Sequence, residues 1–252
     1  MFFNVLKARL NQGYKTIDYP NQMPRLSEKY KGLPIINSSK CSKDCSSCFD
    51  VCPTDAIIKK DDENFIDLGK CIFCNKCVSA CSENLIIFTN EFRMSALKRE
   101  ELFVKENISL LSNSLNEKTK KLFGHSLKLR QVSAGGCNAC EADINVLNTL
   151  VYDLGRFGIQ FVASPRHADG LLITGPVTEN MKLALLKTYE ATPSPKVVIV
   201  TGTCAISGGL FSNLNNNNNG IEDILPVDLY IPGCPPNPFT ILDALLRFLG
   251  KV

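Results

Sequence analysis

The sequence has 252 residues, 44% of them hydrophobic, and a net charge of +3 with both signs interspersed. That composition excludes a disordered chain and leaves no basic, aromatic-interleaved stripe for nucleic acid, and the length allows one or two domains. Twelve cysteines with no secretory leader point to a reducing compartment where thiols are kept for metals, so the expected location is the cytoplasm. Nowhere does the chain approach the ~20 consecutive apolar residues of a spanning helix. In residues 1–10, Phe2, Phe3, Val5, Leu6 and Leu10 gather on one helical face with Lys7 and Arg9 off it. Such a helix either packs onto the protein or docks at an interface or on a subunit. Residues 13–34, with Pro20, Pro24 and Pro34, read as an extended arm of the kind that lies on a neighbour. Residues 1–34 are therefore a first region of helix and arm.

The stretch 35–92 is the second region, and eight of the twelve cysteines lie between Cys41 and Cys81. Cys45, Cys48 and Cys52 recur 29 residues later as Cys74, Cys77 and Cys81 (45 to 74, 48 to 77, 52 to 81). Three closely spaced thiols followed by a fourth is the run that wraps bacterial-type iron-sulfur clusters, with the fourth cysteine serving the other half's cluster. The assignment is Cys41, Cys45, Cys48 and Cys81 to one 4Fe-4S cluster, and Cys71, Cys74, Cys77 and Cys52 to a second. Zinc ribbons space their cysteines differently, and neighbours this close poorly meet disulfide geometry. Ala56, Ile57 and Ile58 are matched by Leu85, Ile86 and Ile87, which predicts a pair of short strands closing the fold. Residues 59–63 read as a charged, solvated loop.

Residues 93–124 read as a helical linker: from Ser95, a plausible N-cap, to Leu122 there is no cysteine, glycine or proline, and Gly124 would close the helix. A boundary of this kind predicts two modules that fold independently, so that a cut near Ser95 leaves both intact. Residues 125–252 then show apolar runs at 127–132, 159–162, 171–174, 197–201 and 229–231, with helices fitting at 141–152, 179–189 and 238–249. That alternation is the signature of a parallel α/β sheet. The asparagine run 213–219 reads as a loop. Cys137, Cys140, Cys204 and Cys234 each follow a predicted strand, and such loops gather at the carboxyl edge of an open sheet, where ligands bind. Four thiols on one edge make a third site, with Gly135, Gly136, Gly202 and Gly233 allowing close backbone approach. Residues 202–209 lack the spacing of a phosphate cradle, and thiols already occupy the edge that a flavin would use.

These residues carry specific resemblances. The first eight cysteines with Cys52-Pro53 are similar to the two-cluster bacterial ferredoxin module, except that three residues separate Cys41 from Cys45 where the family has two, and Ser82 replaces a second proline. Gly135-Gly136-Cys137-Asn138-Ala139-Cys140-Glu141, Ser164-Pro165-Arg166-His167-Ala168-Asp169, Gly202-Thr203-Cys204 and Ile231-Pro232-Gly233-Cys234-Pro235-Pro236 resemble the small, 20 kDa-type subunit shared by complex I and membrane-bound nickel-iron hydrogenases. Complex I has adjacent cysteines at the first two ligand positions, whereas two residues separate Cys137 from Cys140, as in the hydrogenases. The chain thus resembles a fusion of a ferredoxin-type subunit with a hydrogenase small subunit of the formate hydrogenlyase kind.

The resemblance implies an α/β fold class: a bacterial ferredoxin-like 2x(4Fe-4S) module, then a flavodoxin-like parallel domain carrying a third 4Fe-4S cluster, proximal to a nickel-iron centre in a separate large subunit. It implies an electron-transfer subunit with no catalytic residue of its own, because every Cys-x-x-Cys pair is consumed by iron. Its partners would be the nickel-iron large subunit, a formate dehydrogenase or ferredoxin-type donor or acceptor, and membrane subunits that hold it peripherally on the cytoplasmic face. Two other classes stand beside this reading: a complex-I-like quinone oxidoreductase component, and a non-enzymatic iron-sulfur redox sensor or carrier. Glu141 either stabilises a helix start through the dipole or, as the family suggests, lies on a proton path. His167 with Arg166 reads as a loop contact.

Overall fold

The computed structural model describes residues 2–37, 41, 45–60, 63–105, 123 and 125–252. Helix α1 (Phe2–Gln12) comes first. Its described side chains are exposed, Phe3 and Leu10 each to 82%. The arm that follows lies on the chain's own C-terminal half. Ile17 N–H donates to Val151 O at 2.9 Å, and the Arg156 guanidinium donates to the Ile17 and Tyr19 carbonyls. Tyr19 is buried among Phe92 and Phe239, and its hydroxyl donates to Asp243 at 2.5 Å.

The ferredoxin half contains β1 (Pro34–Ile36), α2 (Ser47–Asp50), β2 (Ile57–Lys60), β3 (Glu63–Asp67), α3 (Lys76–Ala80) and β4 (Ile86–Phe88). The two strands expected to pair with each other do not. β2 pairs antiparallel with β3, and β4 pairs antiparallel with β1. Lys59, Lys60 and Glu63 are accordingly strand residues and not loop, with the paired Ile57 and Ile66 buried on one face, and residues 61–62 lie outside the described residues.

The linker also departs from expectation. Ala96 bridges antiparallel to Tyr230, residues Arg99–Leu102 form a 3-10 turn, and β5 (Phe103–Val104) pairs antiparallel with β3. Leu102 is 0% exposed and Val104 4%, so tertiary burial overrides the helix-forming composition here. The remainder of the expected helix, residues 106–122, and its closing Gly124 lie outside the described residues.

The C-terminal half is a parallel sheet of β6 (Leu127–Ser133), β7 (Ile159–Phe161), β8 (Gly170–Thr174), β9 (Val197–Thr201) and β10 (Leu229–Ile231), in the spatial order β10-β9-β8-β6-β7. Numbered within the domain this is 2-1-3-4-5, the flavodoxin-like order, with its switch point between β6 and β8. Around it run α4 (Ala139–Val146), α5 (Glu179–Ala191), α6 (Thr203–Ser207) and α7 (Pro238–Phe248). Every residue of β8 and β9 is buried, as a parallel strand covered on both faces requires. On one face Leu172, Ile199 and Ile231 pack with Ile144 of α4 and Ile241 and Leu245 of α7. On the other, Leu171, Ile173, Val198 and Val200 belong to one buried cluster with Leu185 of α5, with Ile57 and Leu68 of the ferredoxin half, and with Leu33 of the arm and Leu102 of the linker. The two halves therefore share a core, which removes the expectation that a cut near Ser95 leaves each folded alone.

The asparagine run is an ordered connection. Asn216 O accepts from Glu179 N at the start of α5, and the Asn218 side chain donates to Val177 O.

Candidate metal centres

The 29-residue repeat survives in three dimensions. Ala56 N–H points at Cys52 Sγ (3.2 Å) and Leu85 N–H at Cys81 Sγ (3.4 Å), two bonds related by the repeat, while Phe73 N–H points at Cys71 Sγ (3.4 Å). Backbone donors aimed at sulfur favour the thiolate over the thiol and tune the group it binds. Cys52, Cys71, Cys74 and Cys77 line one cavity walled by Ile57, Ile66 and Phe88.

The thiols act on one another in three groups. Burial first, then Cys45 and Cys81, raise the Cys41 thiol; burial, then Cys41, Cys45 and also Cys77, push Cys48 up to about 11. Burial pushes Cys71 up to about 12, with Cys77, Cys52 and Cys74 adding to it, and pushes Cys77 up to about 11, with Cys52 and Cys74 adding to it. On the sheet, burial raises Cys140, followed by Glu141, Cys204, Cys234 and Cys137; Cys204 is pushed up to about 11 by burial, Cys234 and Cys137. Cys234 is raised by burial, by Cys137 and by Cys74 of the ferredoxin half. Cys45 is the exception, lowered by hydrogen bonding to Ser47. Buried, mutually repelling thiols stay protonated unless a cationic centre takes the protons' place.

The third quartet is assembled by topology. Cys137 lies in the loop after β6, Cys140 in the first turn of α4, Cys204 in α6 directly after β9, and Cys234 three residues after β10. Gly202, at φ +92°, has room for no side chain: a Cβ there would stand 2.5 Å from Cys140 Sγ. The backbone thus approaches the sulfur as close packing about a thiolate-bound group demands. Cys137 and Cys234 are exposed, while Cys140 and Cys204 are partly buried. All-sulfur quartets are the donor set of 4Fe-4S clusters; backbone N–H groups point at sulfur in the first two quartets, at Cys81, Cys52 and Cys71, and apolar walls line the cavity of the second. Among the described residues no group of three or more His, Cys, Asp or Glu is arranged to hold a single metal ion.

Glu141 lies in the first turn of α4, is 6% exposed and accepts a hydrogen bond of 2.5 Å from the Thr174 hydroxyl at the end of β8, so it is a fixed group beside Cys140. Arg166 and His167 are exposed in the crossover between β7 and β8. Sequence reasoning missed the residues joining the halves. Thr203 and Ser207 of α6 bond to backbone carbonyls of Cys71 and Gly69, and Arg99 forms an ion pair with buried Asp67. These contacts span 132, 138 and 32 residues, and no local pattern signals them.

A family model described as the NADH ubiquinone oxidoreductase 20 Kd subunit matches residues 137–248, and one described as a 4Fe-4S dicluster domain matches residues 27–86. A probable membrane-bound hydrogenase subunit mbhJ of Pyrococcus furiosus is 42% identical over 132 residues, which are 52% of this chain and 79% of that protein. The chain belongs to the NADH ubiquinone oxidoreductase 20 Kd subunit family. This 20 Kd-type half follows an N-terminal 4Fe-4S-binding domain. Formate hydrogenlyase subunit 7 of Escherichia coli is 43% identical over 147 residues, covering 58% of this chain and 56% of that protein. A subunit of the NADH-quinone oxidoreductase of Citrifermentans bemidjiense is 44% identical over 117 residues, covering 46% of this chain and 68% of that one. The chain therefore spans little more than half the length of its formate hydrogenlyase relative. No described helix is long and apolar enough to cross a membrane.

Proposed function

We propose that the chain is the electron-transfer subunit of a multi-subunit nickel-iron hydrogenase of the formate hydrogenlyase kind. It would hold three 4Fe-4S clusters, on Cys41, Cys45, Cys48 and Cys81, on Cys71, Cys74, Cys77 and Cys52, and on Cys137, Cys140, Cys204 and Cys234. Bound 4Fe-4S clusters supply reversible one-electron transfer. In this reading the middle quartet stands between the other two: Cys48 and Cys52 lie in and just after α2, Cys77 and Cys81 in and just after α3, one of each pair to each ferredoxin quartet, and Thr203, beside Cys204, donates to the Cys71 carbonyl at 2.8 Å. That ordering is the observation that carries the reading.

Exposed Cys137 and Cys234 put the sheet-edge quartet at a surface, which suits contact with a separate large subunit holding the nickel-iron site. Exposed Cys45 at the far quartet suits a formate dehydrogenase or ferredoxin-type partner. We place the chain at the cytoplasmic face of the membrane, held there by membrane subunits, with the exposed apolar residues of α1 as one contact available to them. Residues 35–92 and 125–252 are the two functional modules of this reading. Glu141, buried and bonded to Thr174, is the carboxylate we assign to a proton path beside the third quartet.

The test is anaerobic purification of the tagged chain with its partners. A nickel-containing subunit should co-purify, and the complex should take up or evolve hydrogen while the isolated chain does neither with an artificial dye. Hydrogen activity from the isolated chain would overturn the reading, and so would a complex that reduces quinone and has no hydrogen activity, which is the complex-I-like alternative.

A further inference from the structure

The two halves meet at the turn that presents Cys71, and this turn is gripped from both sides. On one side stands α6. The Thr203 hydroxyl, 0% exposed, lies 2.8 Å from Cys71 O and 3.1 Å from Gly233 O. A hydroxyl has one proton to give. Gly233 O already accepts the Thr203 backbone N–H at 2.9 Å, so the hydroxyl proton goes to Cys71 O, the shorter contact. One helical turn on, the Ser207 hydroxyl donates to Gly69 O at 2.8 Å. On the other side Arg99 donates twice to Asp67, at 2.7 and 2.5 Å, and Asp67 in turn accepts from Gly69 N at 2.8 Å. The fit leaves no slack: a Cβ on Gly69 would come within 2.8 Å of Ile206 Cγ2 and 2.9 Å of Arg99 Cζ.

Thr203 is joined to both quartets at once. It stands between Gly202, against which Cys140 Sγ packs, and Cys204, itself in the third quartet. Its hydroxyl ends on the carbonyl of Cys71, in the second quartet, and its amide on the residue before Cys234. We infer that Thr203 is a positioning residue whose buried hydroxyl fixes the spacing between the second and third thiol quartets, with Ser207 as its auxiliary. The inference rests on the reading that both quartets carry clusters.

Three variants of the complete, cluster-loaded protein test it: Thr203→Val, Thr203→Ser and Ser207→Ala, each compared with the unsubstituted chain by iron content and by electron paramagnetic resonance of the fully reduced state. Paramagnetic centres held at a fixed short spacing split each other's signals. Thr203→Val should keep its iron and lose the splitting of the unsubstituted protein; Thr203→Ser, which retains the hydroxyl, should restore it; Ser207→Ala should alter it in the same direction by less. A merely structural threonine would lower the melting temperature without changing the splitting, and an unchanged splitting at full iron overturns the inference while leaving the proposed function standing. Should Thr203→Val fail to hold iron, Ser207→Ala decides, and an unchanged splitting there overturns it equally. If the unsubstituted chain itself lacks the third quartet's iron, the underlying reading falls and takes the inference with it.

Discussion

The eight thiols of the ferredoxin half and the four on the sheet edge are built in opposite ways. The first eight come from one stretch of chain, and two of their hydrogen bonds, to Cys52 and Cys81, come from the amides four residues further on, Ala56 and Leu85. The last four lie between residues 137 and 234 and converge only because β6, β9 and β10 run parallel and end at one edge. A local motif needs a few short turns, whereas an edge site needs the whole sheet. The shared core qualifies that contrast, since the local site also leans on the sheet through the strap Ala96–Val104 and through α6.

The sharpest way to break the comparison is at Arg99. Its guanidinium is 13% exposed and pairs with Asp67, whose side chain is 2% exposed. Removing one partner of such a pair strands the other's charge, which costs about 3–5 kcal/mol. Arg99→Ala should therefore lower the denaturation midpoint strongly, and far-ultraviolet dichroism of the sheet and visible absorption of the ferredoxin half should be lost in one transition. Two separate transitions, with the sheet unmoved, would show that the halves stand independently as their sequences suggest.

A smaller effect sharpens the local side. Burial works to raise the Glu91 carboxyl, but hydrogen bonds and charge from Arg93 outweigh it and hold Glu91 below its ordinary value. A carboxylate lowered in the folded state contributes stability above its unfolded pKa of ~4.3, and that contribution disappears as pH falls through the folded value. The pair is partly exposed, so screening limits it to about 0.5–1 kcal/mol. Glu91→Gln should match the unsubstituted chain in acid and fall below it above roughly pH 5. Equal denaturant midpoints across that range would show that the pair contributes nothing.

Much of this arrangement was legible in the sequence. The strands of the sheet coincide with the apolar runs to within a residue or two, because parallel strands buried on both faces must be continuously apolar. That the sheet is parallel follows from the same runs alternating with helices. What escaped was partnership at a distance. Ile57 and Ile86 read as equivalent halves of a repeat, yet β2 found β3 and β4 found β1, since the repeat encodes the thiols and their turns but not which edge each strand meets. The stretch after Ser95 is rich in helix formers, and burial of Leu102 and Val104 overrode that preference. Tyr19 gives no hint in its neighbourhood that Asp243 waits 224 residues away. Glu141 does stand in the first turn of α4, but the Thr174 hydroxyl that holds it lies 33 residues away on β8, with no local sign of the pairing.

Three complete thiol quartets must each hold four iron atoms, and an iron and sulfide count measures that. Anaerobically prepared protein should contain about twelve iron and twelve sulfide per chain, four for each quartet, with no stoichiometric zinc. Cys234→Ser should lower the count to about eight while preserving the signals of the ferredoxin half, because the sheet-edge quartet alone loses a ligand. Iron near eight in the unsubstituted chain, or iron unchanged in Cys234→Ser, would contradict the account.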